Sequence, residues 1–175
     1  HVRRDIIHQV VTWAAIADAD LKAGDSVGVY MKSGWLYAGK RPQTAMGMVT
    51  ADASEGMDVG VARLAGIIEH TEGKVDVAKV PRIERGGSKM VSTEKFLSLA
   101  KNADIIAAVG LEAYLACKTS GIKPDMFFGA REGTVEAAFH GMRCLILIVD
   151  EEFTDFLKRL ETAGLSYTIH ELVTE

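Results

Sequence analysis

The chain reads as an α/β protein: a three-layer, Rossmann-like sandwich with a mainly parallel sheet, preceded by an N-terminal helix and a β-hairpin. Three observations predict this. From about residue 93 onward, helical and strand periods alternate regularly. The run 143–149 (RCLILIV) is continuously apolar, as a central strand covered on both faces should be. Glycines that can stop helices, Gly121 and Gly164, follow two of the helical stretches. Strands joined by helices of this length run parallel with right-handed crossovers.

The first stretch places Ile6, Val10, Trp13, Ala14 and Ala17 at helical spacing, which predicts a helix over 2–20 ended by Gly24 and Asp25. Segments 26–31 (SVGVYM) and 35–38 (WLYA) are β-rich, and Lys32, Ser33 and Gly34 between them suit a hairpin turn. The pattern of 39–56 is ambiguous. From Val61 the helical period returns, with Val61, Leu64, Ala65 and Ile68 on one face and Gly73 as a stop.

A strand at 75–80 (VDVAKV) follows. Helix 93–102 carries Ser92 as N-cap and buries Phe96, Leu99, Ala100 and Ala103. Strand 104–109, helix 111–120, strand 125–128 after Pro124, and helix 131–140 with Val135, Ala138 and Phe139 inside come next. Strand 143–149 leads to helix 151–163, which buries Phe153, Phe156, Leu157 and Leu160. The period-two segment 166–172 completes five strands.

At 175 residues, 48% hydrophobic and 25% charged, the chain is expected to be one domain, 1–175, with one core. No apolar run approaches the roughly 18 to 20 residues that cross a bilayer, and the start is not a signal peptide, so a cytoplasmic protein without membrane contact is expected. Cys117 and Cys144 fall in apolar stretches and read as reduced core residues. A net charge of −4 argues against binding nucleic acid by bulk charge. The chain begins with His1 rather than Met, which reads as an internal boundary of a longer protein or a tag remnant.

Ligands of open parallel sheets bind beyond the carboxyl ends of the strands. The loop 81–89 (PRIERGGSK) sets Arg82, Arg85 and Lys89 around Gly86, Gly87 and Ser88, where backbone N–H groups and cations suit a phosphate or carboxylate; alternatively it is a solvated surface loop. The segment 129–134 (GAREGT) opens a helix after an apolar strand, so Gly129, Ala130, Arg131, Gly133 and Thr134 make an anion site, unless the glycines serve only turn and packing. Gly110 with Glu112, and Asp150 with Glu151 and Glu152, are first of all helix starts, with a ligand hydroxyl as the second reading.

No phosphate-loop, dinucleotide, nucleophile-elbow or HExxH spacing occurs, so no catalytic residue, metal or cofactor is assigned. The histidines at 1, 8, 70, 140 and 170 are scattered outside these loops. Trp35, Tyr37, Lys40 and Arg41 combine aromatic and cationic groups fit for recognition, although hairpin packing explains them as well.

The phrases GVARLAGIIEH, VPRIERGGSK, ADIIAAVGLEA, FFGAREGTVEAA and EEFTDFLKRLE together resemble the C-terminal domain of an archaeal family of predicted transcription regulators. In that family a winged-helix DNA-binding domain precedes a domain of this kind. No helix-turn-helix unit of about 60 residues precedes residue 26, so DNA is expected to be reached only through a domain absent from this chain, and 1–24 reads as the connection. The resemblance implies a homodimeric sensor whose small anionic metabolite alters the relation of two protomers. The alternatives are an enzyme acting on a phosphorylated or carboxylated metabolite with Glu112 or Asp150 as acid or base, and a purely structural dimerisation domain.

Overall fold

Period-two patterning governs the first third of the chain. In the computed structural model, which describes residues 11–68 and 73–174, the chain falls into two compact units that part between residues 68 and 73. The first unit comprises β1 (Trp13–Ala17), β2 (Ser26–Lys32), β3 (Trp35–Gly39), β4 (Ala45–Val49) and β5 (Asp58–Ala65). They close into a barrel in the order β1-β3-β2-β4-β5. Alternate residues turn inward, so Ala15, Ala17, Val27, Val29, Ala38, Val59 and Val61 form the interior. The hairpin expected around 32–34 is present, with Ser33 and Gly34 both at positive φ, as a tight two-residue turn requires.

Two helices expected here are strands. Residues 2–10 of the first lie outside the described residues; over 13–17 the chain pairs parallel with β3 and antiparallel with β5. Small alanines at 14, 15 and 17 satisfy either period, and barrel closure, which leaves no unpaired edge, selects the strand. The apparent helical face Val61, Leu64, Ala65, Ile68 has a specific cause. Met48 pairs with Ala62 but Met46 with Ala65, so β5 carries one extra residue, with Arg63 at φ 53. This bulge shifts the inward parity by one and converts a spacing of two into one of three.

The second unit contains β6 (Lys74–Val80), α1 (Thr93–Ala100), β7 (Ile105–Val109), α2 (Leu111–Thr119), α3 (Ala130–Phe139), β8 (Arg143–Val149), α4 (Asp150–Thr162) and β9 (Ser166–Glu171). Its four strands are parallel, in the order β7-β8-β6-β9. Val75, Val77, Cys144, Ile146 and Ile148 pack with Val135, Ala138, Phe156 and Leu160 of α3 and α4. Ala78, Val80, Leu145 and Leu147 pack with Phe96 of α1 and Ala113, Ala116 and Cys117 of α2. Ser92 caps α1 by accepting from the Lys95 N–H at 3.3 Å. The two thiols are buried, which pushes both up to about 12.

A three-layer, Rossmann-like sandwich is therefore not the fold of this chain. Five of the nine strands among the described residues close a barrel, and the core is divided between two units. The expected fifth parallel strand at 125–128 is a single bridge between Ala107 and Met126. There the Asp125 carboxylate accepts the Ile106 N–H at 2.8 Å, replacing a ladder bond. Phe139, expected inside, is half exposed. No helix among the described residues is long and apolar enough to cross a membrane.

Candidate functional site

The chain leaves β6 over β8 to reach β7, and leaves β8 back over β6 to reach β9. Departures in opposite directions favour a crevice at the carboxyl ends of β6 and β8, and a pocket of about 290 Å³ is lined there by Lys79, Pro81, Arg85, Met90, Asp150 and Glu171. The β6 end continues through Pro81 into two 3-10 turns, Ile83–Arg85 and Gly87–Met90. The β8 end runs directly into α4, whose first turn carries Asp150, Glu151 and Glu152 and has no side-chain cap.

Acid meets base across this crevice. Arg82 pairs with Glu84 and with Glu151, each at 3.2 Å, and Arg85 lies 3.7 Å from Asp150. Glu112, from the start of α2, comes beside Gly87, and Gly110 packs at φ 96 directly on Val149, where a Cβ would stand 2.5 Å from a Val149 methyl. Arg82, Arg85, Gly86, Gly87, Gly110 and Glu112 are thus brought together. Ser88 lies in the same loop, with its carbonyl accepting the Val91 N–H.

The expected anion cradle differs in detail. The Gly86 N–H donates to the Ile83 carbonyl and the Gly87 N–H to that of Arg82, so these donors are spent inside the loop. An anion entering the crevice meets guanidinium groups already held by carboxylates. Such exposed pairs exchange partners at little cost.

The second expected group, 129–134, lies at the start of α3, next to Gly110 and to the first turn of α4. Gly129 supplies a left-handed N-cap, φ 63, without a side-chain cap, and Arg131 pairs with Glu152. Thr134 is fully buried and donates to the Ala130 carbonyl at 2.7 Å, and Gly133 makes room for the Met126 sulfur. Both serve packing, and Ala130 is buried with them. Beside this helix start, Gly110, Leu111, Tyr114, Phe127 and Phe128 line a cleft of about 520 Å³. The Phe127 ring lies 5.0 Å from Tyr114 and 4.8 Å from Phe128.

A polar pair escaped sequence reasoning. His170 of β9 and Asp76 of β6 meet at 2.8 Å between Nε2 and Oδ1, both partly buried. His170 also lines a cleft of about 610 Å³ with Ser92, Glu94, Lys95, Ser98 and Leu99. The available signal was a carboxylate inside the apolar strand VDVAKV. Among the described residues no group of three or more His, Cys, Asp or Glu is placed to hold a metal.

A family model described as "Domain of unknown function (DUF7839)" matches residues 69–169. An uncharacterized protein of Methanocaldococcus jannaschii is 34% identical over 166 residues, 93% of this chain and 64% of that protein. The chain thus spans about 64% of this relative's length. No solved structure matches. The chain belongs to the DUF7839 family.

Proposed function

We propose that this member of the DUF7839 family is the ligand-sensing and dimerisation part of a transcription regulator, taking a small anionic metabolite in the crevice between β6 and β8. The observation that carries the reading is the set of ion pairs Arg82–Glu151 and Arg85–Asp150 at the strand-order reversal. A phosphate or carboxylate that displaces Asp150 and Glu151 from the arginines releases the first turn of α4 and rearranges the 3-10 turns. A ligand shifts a conformation only through such a difference in contacts between two states. The resemblance of the chain to archaeal regulators supports the regulatory assignment, and the greater length of the relative leaves room for a DNA-binding domain.

The test is a thermal-shift screen of the intact chain against inorganic phosphate and a set of phosphorylated and carboxylated metabolites, repeated with Arg82→Ala/Arg85→Ala. Stabilisation that disappears in the double variant is expected. Stabilisation that survives it moves the ligand out of this crevice, and none from any compound removes the sensor reading.

A second reading, an enzyme acting on a similar metabolite, is favoured by the Asp76–His170 pair. A carboxylate on Nε2 holds the ring with its Nδ1 as the acceptor, the form a general base needs. Turnover of a compound identified in the screen, abolished by His170→Gln, would replace the sensor with this reading.

A further inference from the structure

The β2–β3 hairpin presents a ladder of cross-strand pairs on the outside of the barrel: Gly28 with Gly39, Tyr30 with Tyr37, and Lys32 with Trp35. Their neighbours Val27, Val29 and Ala38 fill the interior, so these pairs face away from it. The Tyr30 and Tyr37 rings stack at 5.6 Å and 15°. Lys32 Nζ lies 6.0 Å from the centre of the Tyr37 ring, and Trp35 is 66% exposed. Packing within the hairpin therefore does not account for Trp35. Segment 40–44 folds back over Gly28, bringing the Arg41 backbone onto it.

Lys32 lies at the hairpin turn, whereas Lys40 and Arg41 follow the end of β3, at the same end of the barrel as the connections that carry Asp20, Asp25, Asp52 and Glu55. Asp18 lies on the ladder side, and its Oδ2 accepts the Tyr30 hydroxyl at 2.6 Å. Among the described residues, Lys32, Lys40 and Arg41 have no carboxylate within ion-pair distance.

We infer that this face binds single-stranded nucleic acid, with bases stacked on Trp35 and the Tyr30–Tyr37 pair and phosphates at Lys32, Lys40 and Arg41. An exposed Trp35 beside the partly buried Tyr30–Tyr37 pair, bordered by cations that have no carboxylate partner among the described residues, suits this ligand, because every base has a π-face and every linkage a charge. The Gly28–Gly39 end of the ladder is covered by the Arg41 backbone and the Asp18 carboxylate, so the open part from Tyr30 to Lys32 runs about 7 Å at the rise of a β-strand, room for roughly two stacked nucleotides. Three phosphate contacts give a shallow salt dependence, a log–log slope of about −2, which needs no basic protein as a whole. The inference is independent of the crevice between β6 and β8.

The experiment is fluorescence anisotropy of the intact chain with labelled oligothymidylate and oligouridylate between about 50 and about 200 mM salt. Both should bind, and a preference for one decides whether the strand is DNA or RNA. Trp35→Ala should weaken binding about tenfold while Trp35→Phe retains it. Lys32→Ala and Arg41→Ala should each lower the slope by about 0.7. Arg82→Ala/Arg85→Ala should leave binding unchanged, and circular dichroism melts check that the variants fold. Absence of binding at about 50 mM salt, or binding unaltered in Trp35→Ala and Lys32→Ala, overturns the inference. Equal competition by duplex DNA or polyglutamate overturns it too, making the surface one of charge alone; polyglutamate would then point to an acidic protein partner.

Discussion

The barrel and the parallel-sheet unit solve the same problem, burying alternate strand residues, by opposite means. The barrel closes on itself, so its strands have one apolar face, and its inward residues are the small Ala15, Ala17 and Ala38 with Val27, Val29, Val59 and Val61. The sheet unit is covered on both faces by helices, so β8 buries six consecutive residues, Cys144 to Val149. What differs is where recognition chemistry can sit. A closed barrel leaves its outer wall to solvent, and its candidate groups are strand residues. A helix-covered sheet leaves only the carboxyl ends of its strands, and its candidate groups are in loops.

The largest effect that tests this division is a cavity in one core. Phe156→Ala, at a fully buried site under α4, should cost about 3–5 kcal/mol. Hydrogen exchange should show protection lost in 73–174 with the barrel amides kept. The converse, Leu21→Ala, should cost about 2–5 kcal/mol and act on the barrel. Equal loss throughout the chain in either variant would mean that the two units unfold as one.

Smaller effects separate the polar devices. The bond from Tyr30 to the Asp18 carboxylate, with burial and the Asp18 charge added, pushes the phenol up from 10 to about 12. Because the folded value lies above the unfolded one, this contribution is complete below about pH 10 and is lost as pH rises toward 12. Tyr30→Phe should cost the barrel about 1–2 kcal/mol at neutral pH and flatten its alkaline loss of stability, as read by denaturant titrations at several pH values. Arg85→Ala should change stability least, by less than about 0.5 kcal/mol, because the pair with Asp150 is exposed on the arginine side. A large effect on unfolding there would show a structural rather than an exchangeable ion pair.

Local pattern was informative where one period was uninterrupted. The hairpin at 26–39, the N-cap Ser92, the helix stops Gly121 and Gly164 and the buried strand 143–149 were all readable. So were the loops carrying Arg82, Arg85 and Gly110. Gly133 takes the packing alternative that the sequence left open and Thr134 is buried beside it, because a helix start looks the same whether its small residues face a ligand or a neighbouring strand. His170 and Asp76 were missed because 94 residues separate them and only sheet order makes them neighbours.

The sequence by itself determined which segments alternate, which runs need cover on both faces, and which loops carry cations and glycines, since these depend on residues a few positions apart. Tertiary structure alone decided that Trp13–Ala17 is a strand, that one bulge at Arg63 makes a strand resemble a helix, and that β6 lies between β8 and β9. The physical reason is that barrel closure and strand order are set by hydrogen bonds and packing between residues far apart in the chain, and at 13–17 and 61–65 those contacts outweigh the local period.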